Sequence, residues 1–518
     1  MTPAANVSFQ LDTRRSGVLL HPTSLPGPHG SGDFGPGAYH FVDWLHSAGQ
    51  SLWQVLPLNP IGPGNSPYAG VSAFAGNPLL VALEPLLDKG WLAPVDVSGL
   101  GDASDMQHID FGRLIPWRMA QLRAAWDGFK RLAPAADQAD LAAYGVAEQS
   151  WLDDYALFMA LDHAFNPPGA VFRAWPDWPG GLARREPQAL RDARLQYADD
   201  IAFWQFTQWC FDSQWQALRA YARTRGVAVI GDLPIFVAHH SADCWARPDL
   251  YWLDDAGQPT VIAGVPPDYF SETGQRWGNP LYRWERFEQE GFAWWIARVR
   301  RQLALADAVR IDHFRGFAAY WEIPTEAPTA IGGRWITAPG AQLFKALQAA
   351  LQPEGGRLPI VAEDLGVITP DVEALRDDLG LPGMRILQFA FGDTADNAYL
   401  PHNHLPNAVV YTGTHDNDTS RGWWGHASAR ERDCAQLYLG CGDEPSAWPF
   451  IRAALASVAR TAIVPMQDAL DLGSEHRMNT PGLMGAWEWR FSWDQVGSAP
   501  AQRLKALTLA YGRGATPG

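Results

Sequence analysis

The sequence predicts an α/β fold, a (β/α)8 TIM barrel with a helical and a loop-rich subdomain inserted on its catalytic side. Eight short apolar runs, each ending in polar, Gly or Pro residues, alternate with segments of helical periodicity. Strands that are apolar on both faces and separated by helices indicate a parallel sheet, and eight such units favour a barrel over an open sheet. The runs are Ser16–Leu20, Leu52–Leu58, Val227–Phe236, Ala308–Phe314, Leu358–Asp364, Met384–Phe391, Ala408–Thr414 and Thr461–Met466.

Uneven spacing between the runs predicts two insertions in one catalytic barrel that spans residues 1–518. Residues 83–225, between the second and third runs, are predicted to form a helical insertion. Residues 238–300, between the third and fourth runs, are rich in aromatic, Gly and Pro residues and predict a loop-rich lid. The helical periodicity of the first insertion is clearest over Trp117–Leu132, Trp151–Phe165 and Ala202–Thr224.

Composition narrows the classes of partner. Asp and Glu number 56 against 40 Lys and Arg, a net charge of -16, which disfavours nucleic acid and anionic membrane surfaces. Met1–Arg15 lacks the apolar core of a signal peptide, and no apolar stretch is long enough to span a bilayer. The four cysteines have no CxxC or His-Cys metal spacing. We therefore expect a cytoplasmic protein that needs no metal or other cofactor.

The chain contains 25 tryptophans, an unusually large number. Most are expected to fill core space. Tryptophans in glycine-rich loops, namely Trp277, Trp423 and Trp424, are instead predicted to line a sugar cleft, because flat rings stack on pyranose faces.

Acidic residues stand at the ends of four of the eight runs. In a (β/α)8 barrel the carboxyl ends of the strands form the catalytic rim, so acids from separate strands converge there. The ends carry Gly231-Asp232-Leu233 (third run), Arg310-Ile311-Asp312 (fourth), Ala362-Glu363-Asp364 (fifth) and Thr414-His415-Asp416 (seventh).

Glycosyl transfer with retention needs this set of acids. A carboxylate attacks the sugar, and a carboxylic acid protonates the leaving oxygen. Asp312 is the predicted nucleophile, since Arg310 on the same strand favours its ionised form. Glu363 is the predicted acid/base, and the proximity of two other carboxylates is expected to raise its pKa. Asp416 is the predicted stabiliser of the cationic transition state.

Ten motifs in chain order make the sequence resemble the amylomaltases, or 4-α-glucanotransferases, of glycoside hydrolase family 77, which are relatives of the α-amylases. The resemblance runs from about Ser16 to Trp489 and is weak only over roughly Gly101 to Asp200. The motifs are His21–Pro26, Ser66–Tyr68, Ser72–Pro78, Gly231–Ile235, Val265–Ser271, Trp277–Pro280, Arg310–Gly316, Ala362–Gly366, Thr414–Thr419 and Arg477–Gly482.

The resemblance implies an activity: transfer of a 1,4-α-D-glucan segment to the 4-OH of an acceptor glucan or glucose, through a glycosyl-aspartate intermediate. Maltooligosaccharides and other α-1,4-glucans are the implied partners. The implied substrate-binding residues are Ser66, Tyr68, Asp232, Trp277, Arg310, Asp393, His415 and Asn479. Tyr68 is expected to stack on the sugar at the cleavage site, and Trp277 to form part of a lid over the acceptor side.

Three alternative functions remain open from the residues. An α-amylase-type hydrolase shares the barrel and the acids and differs only in the fate of the glycosyl-enzyme. A dinucleotide-binding dehydrogenase would match the GxGxxG pattern of Gly30–Gly35, but the next strand ends at Asn59 without the acid that binds ribose. A non-catalytic glucan-binding protein on a decayed barrel is disfavoured, because all three acids are present.

Overall fold

Eight parallel strands form a barrel, and each lies within one of the eight predicted runs or overlaps it, so the predicted fold class is confirmed. The computed structural model describes residues 11–100, 107–267, 271–352, 354–392, 394–483 and 485–514. With all strands numbered in chain order, the barrel strands are β1 (Arg15–Leu19), β2 (Leu52–Gln54), β3 (Ala228–Leu233), β6 (Ala308–Ile311), β9 (Ile360–Ala362), β10 (Gly383–Ile386), β11 (Ala408–Tyr411) and β12 (Thr461–Pro465).

The barrel strands follow one another in chain order around the ring. The hydrogen-bonded order is β10-β11-β12-β1-β2-β3-β6-β9, with every pair parallel. The amide of Ala362 on β9 donates to the carbonyl of Pro382 just before β10 (2.9 Å), which joins the two ends of this series. Inside the barrel, the hydroxyl of Tyr411 on β11 donates to Gln54 on β2 (2.9 Å). The interior is thus a packed core rather than a pore.

Helices separate the barrel strands and form most of the segment between β2 and β3. They are α1 (Pro36–Ser47), α2 (Glu84–Asp88), α3 (Phe111–Leu132), α4 (Ala135–Ala147), α5 (Gln149–Phe165), α6 (Pro187–Gln196), α7 (Ala198–Thr224), α8 (Ala242–Ala246), α9 (Trp284–Gln289), α10 (Ala293–Leu305), α11 (Gly340–Leu351), α12 (Pro370–Asp378), α13 (Ser420–His426), α14 (Ala429–Leu439), α15 (Trp448–Ala456), α16 (Met466–Ala469), α17 (Trp493–Val496) and α18 (Ala499–Ala510). Among the described residues, none of these helices has the length and apolarity that crossing a membrane requires.

Aromatic side chains pack the helices between β2 and β3 against each other. Phe129 of α3 lies with its ring centroid 5.1 Å from that of Phe206 on α7, and Trp126 lies 5.4 Å from the same ring. The fully buried Trp215, further along α7, donates its indole N–H to the carbonyl of Leu305 before β6 (2.8 Å). One long helix therefore connects these helices to the barrel wall.

A second, four-stranded antiparallel sheet lies outside the barrel. Its order is β5-β4-β7-β8, and it combines strands from the connections that follow β3 and β6. We call it the lid sheet. Its members are β4 (Val261–Val265), β5 (Gln275–Pro280), β7 (Ala319–Pro324) and β8 (Arg334–Thr337). The sequence did not predict these strands, because they are short, partly exposed and paired with residues far away in the chain.

The first and last barrel strands pair with each other. Residues of β1 pair with β12 on one side and with β2 on the other. The buried guanidinium of Arg513, after α18, donates to the carbonyl of Arg15 at the start of β1 (3.0 Å) and to that of Arg460 just before β12 (2.9 Å). The first barrel strand and the segment after α18 are therefore held together at one seam of the barrel.

Candidate active site

Arg310 is the centre of a buried ion-pair chain at the carboxyl ends of β3 and β6. Its neighbour across the strand pair is Asp232, and Asp312 lies two residues further along, immediately after β6. One guanidinium nitrogen donates to both oxygens of Asp232 (2.8 and 2.7 Å), and another donates to Asp312 (2.8 Å). The strand register thus aligns one cation with two carboxylates.

Arg310 remains cationic in this setting. Burial lowers its pKa, but the charges of Asp232 and Asp312 outweigh that effect and hold the pKa well above its ordinary value. Asp232 is almost completely buried, whereas the side chain of Asp312 is 28% exposed toward the cleft. Of the two carboxylates paired with Arg310, Asp312 is therefore the one that a bound molecule can reach.

Two backbone amides hold the carboxylate of Glu363 just after β9. The amide of His313 donates to one oxygen (2.6 Å) and that of Leu365 to the other (2.9 Å). His313 has a left-handed backbone (φ 51°), which is uncommon outside Gly and Asn. That conformation directs its amide across the cleft, so the residue after Asp312 orients Glu363.

The pKa of Glu363 is raised to about 8. Burial is the largest cause and the charge of Asp312 the second, while Arg310 and the two amides oppose them. The sequence argument relied on neighbouring carboxylates, but removal of water around Glu363 contributes more. At neutral pH this carboxyl group is mainly protonated and can donate a proton.

Asp416, the third acid, has a more exposed side chain than Asp312. The side-chain amide of Asn479 donates to one of its oxygens (2.6 Å), and the ring of His415 lies 3.4 Å from the other. Arg477 donates to the backbone carbonyl of Asp416 (3.0 Å), which fixes the loop. The Asp416 side chain remains 43% exposed, so it too faces the cleft.

Tyr68 links the ion-pair chain to His415. Its hydroxyl donates to Asp232 (2.7 Å), and its ring is stacked on that of His415 at 5.2 Å between centroids. Burial raises the pKa of Tyr68 far above its usual value, so the phenol keeps the proton that it donates. The hydroxyl of Ser66 accepts from the Tyr68 amide (3.2 Å), so in this structure Ser66 shapes the turn that presents the ring.

Trp277 lies on β5 of the lid sheet, beside the loop that follows Asp312. Its ring contacts that of His313 edge-on at 4.8 Å, and the residue is 38% exposed. The predicted cleft roles of Trp423 and Trp424 are not supported by their positions: both lie in helix α13, and Trp424 is buried in the hydrophobic core. The two glycines beside this pair, Gly422 and Gly425, lie inside α13 and do not mark a loop.

Two residues remain to be placed: Asp393, which was predicted from the sequence, and Trp487, which was not. Asp393 falls in the part of the chain that the structure does not describe. Trp487 was not singled out from the sequence, yet its ring lies 5.6 Å from Tyr68 and 5.8 Å from His415. Its backbone is left-handed (φ 74°), and no local sequence pattern predicts that conformation for a tryptophan.

A further cluster of His29, Asp33 and Glu84 has potential metal-ligand atoms within 4.8 Å of one another. It lies at the start of α1 and α2, apart from the three acids. Arg118 donates to Asp33 (3.1 Å) and to the His29 carbonyl (3.1 Å), so a guanidinium already neutralises part of this cluster. Among the described residues it brings no side chain to the cleft.

Comparisons with known proteins agree with this geometry. Residues 20–495 match the protein family described as 4-alpha-glucanotransferase. The chain is 49% identical to a 4-alpha-glucanotransferase of Thermus thermophilus (96% of this chain, 99% of the relative) and 48% identical to one of Synechocystis (97% and 99%). A solved amylomaltase of Streptococcus agalactiae, in complex with acarbose, superimposes with a TM-score of 0.92 at 38% identity, covering 97% of this chain and all of that one.

Proposed function

Because the chain belongs to the 4-alpha-glucanotransferase family of glycosyl-transferring enzymes, we propose that it moves glucan segments by a retaining double displacement through Asp312. The observation that carries this mechanism is the pairing of a protonated acid with a carboxylate. Glu363 has a pKa of about 8, and Asp312 interacts with it electrostatically while bound to Arg310. Retaining glycosidases use such a pair.

In the first step, the carboxylate of Asp312 attacks the anomeric carbon of a bound 1,4-α-D-glucan. Glu363 gives its proton to the glycosidic oxygen, the carbon–oxygen bond breaks, and the reducing-end fragment leaves with a free 4-OH. The other fragment becomes an ester of Asp312. Glu363 is now ionised, and the amides of His313 and Leu365 stabilise that form.

In the second step, Glu363 acts as the base. It accepts the proton of an acceptor's 4-OH, that oxygen attacks the anomeric carbon, and the ester bond to Asp312 breaks. The new α-1,4 bond has the original configuration, because two inversions restore it. Glucose or a maltooligosaccharide serves as acceptor, and no cofactor takes part in either step.

The surrounding side chains bind the sugars and favour the cationic transition state. Asp416 is the proposed stabiliser, kept in orientation by Asn479 and His415. Tyr68, fixed by Asp232, offers a ring face beside the cleavage site. We also assign Ser66 and Asp393 to the substrate-binding set, from the family resemblance.

Water competes with every acceptor, so transfer requires a site that excludes it. Well-positioned groups reach effective concentrations far above that of water, by several orders of magnitude. Trp277, seated on the lid sheet against His313, is suited to hold an acceptor sugar above the glycosyl-enzyme. This feature favours a transferase over the hydrolase alternative.

Incubation with maltotriose tests the proposal. We expect glucose and a ladder of longer maltooligosaccharides, with little net gain in reducing ends, because each transfer conserves the number of glycosidic bonds. Chromatography of products and a reducing-end assay measure both quantities. Trp277→Ala should increase the hydrolytic fraction. Reducing ends that rise in step with substrate loss, without products longer than maltotriose, would identify a hydrolase instead.

The pH dependence of kcat/KM gives a second test. The first step needs protonated Glu363, so kcat/KM should fall as the pH rises through the raised pKa of about 8. An ordinary Glu, with a pKa of about 4.3, would lose its proton several units earlier. Initial rates at low maltotriose concentration across pH 5–10 locate this limb. A basic limb near pH 5 would contradict the assignment of Glu363 as the acid.

A further inference from the structure

Arg315 contacts both the loop that follows β9 and strand β8 of the lid sheet. It follows Asp312 by three residues in the same loop and is 6% exposed. One guanidinium nitrogen donates to the carbonyl of Val367, in the loop that begins with Glu363. The guanidinium also lies over the ring of Trp335, on β8 of the lid sheet, at 3.9 Å from its centroid.

The same short loop makes further backbone contacts with Glu363. The amide of His313 binds the Glu363 carboxylate, and that of Phe314 binds the Glu363 carbonyl (3.1 Å). Residues 313–315 thus hold the segment 363–367 at three points. From the other side, Trp277 touches His313 and Trp335 covers Arg315.

The guanidinium of Arg315 is buried, and its stack on Trp335 helps to compensate for the loss of water. Burial lowers the pKa of Arg315, and the one opposing charge is that of Asp371. Its Nε atom is buried without a hydrogen-bond partner among the described residues. An aromatic face is therefore a main source of compensation for the desolvated cation. Trp335 itself is 40% exposed on β8, an edge strand of the lid sheet, so its stack on Arg315 depends on the position of that edge.

We propose that Arg315 is a positioning residue that couples the lid sheet to the acid/base: seating Trp335 on its guanidinium fixes the 363–367 loop and keeps water away from Glu363. This inference rests on the proposed function, in which Glu363 transfers protons and the lid excludes water. It extends that function by naming the contact through which lid position reaches the acid. Stacks of this type shift a two-state equilibrium by roughly 2- to 30-fold.

Trp335→Ala is the first test, because the residue is partly exposed and its loss leaves the barrel untouched. We expect the basic limb of kcat/KM to move to lower pH, since Glu363 becomes more hydrated. The hydrolytic fraction with maltotriose should rise by roughly 2- to 30-fold, the range of the lost stack. Trp335→Phe, which keeps an aromatic face, should restore most of both properties.

A matched control separates this effect from general damage. Trp252 has a similar exposure (38%) and lies over the guanidinium of Arg283 (5.0 Å), without contact to residues 313–315. Trp252→Ala should keep the wild-type pH profile and product pattern. Arg315→Lys, which retains the charge but loses the planar group, should resemble Trp335→Ala.

The results that would refute the coupling differ from those that would refute the proposed transferase function. If Trp335→Ala and Arg315→Lys keep the wild-type pH limb and the wild-type ratio of transfer to hydrolysis, the coupling is refuted, even though the wild type transfers glucan. An equal change in Trp252→Ala would also refute it. If the wild-type enzyme itself only hydrolyses maltotriose, the proposed function fails before any variant is compared.

Discussion

Asp312→Asn should lower the turnover of maltotriose by on the order of 10⁴- to 10⁶-fold, the scale seen when a covalent nucleophile is removed. The amide has the shape of the carboxylate but cannot form the glycosyl ester. Arg310 keeps its bonds to Asp232, so the fold and glucan binding should change little. Single-turnover rates, thermal unfolding and maltotriose titration measure the three properties.

A surface acid provides the control for this substitution. Asp249 forms an exposed ion pair with Arg247 away from the cleft, and Asp249→Asn should retain wild-type turnover. The covalent step has its own readout: Glu363→Gln treated with an activated glycosyl fluoride should gain one glycosyl mass on the peptide that contains Asp312. Turnover of Asp312→Asn at the wild-type rate would refute the nucleophile assignment.

Arg310→Met is expected to have the second-largest effect, on both stability and activity. It leaves Asp232 buried without a cation, and breaking a buried pair in this way costs about 3–5 kcal/mol. Asp312 also loses the donor that orients it, so turnover should fall with stability. Urea unfolding gives the free energy, and initial rates give the activity.

The stability that Arg310→Met loses should depend on pH, and the ion pair with Asp232 determines the direction. Without Arg310, the pKa of Asp232 must rise, because its charged form stays buried and loses its attraction to the guanidinium. The stability lost relative to wild type should therefore be smaller at pH 5 than at pH 8. The double variant Arg310→Met/Asp232→Asn should recover stability but not turnover. A constant loss at both pH values would contradict the ion-pair account.

The sequence was sufficient to predict the barrel, for a physical reason. Strands buried on both faces are mostly apolar, so β9 and β11 appear as continuous apolar runs. The acids that interrupt this pattern at the strand ends, such as Asp312 and Glu363, stand out against it. Their convergence then follows from the parallel direction of the strands.

Properties that depend on distant pairing or on backbone conformation could not be predicted. The lid sheet joins β4 and β5 to β7, which lies more than 35 residues further along the chain. His313 and Trp487 have left-handed backbones, which the sequence could not predict because Gly and Asn are the residues that usually adopt this conformation. The raised pKa of Glu363 depends chiefly on burial, which is a property of the folded cleft.

The pairing of β1 with β12 has a consequence for biosynthesis. A ribosome makes the chain from the amino end, so β1 emerges first and keeps one edge unpaired until β12 follows. Arg513, which binds two backbone carbonyls at this seam, is synthesised later still. The acids on β6, β9 and β11 have long been synthesised by then, but the ring that aligns them is incomplete. We therefore expect a nascent chain to remain inactive, with one edge of β1 exposed, until β12 has left the exit tunnel.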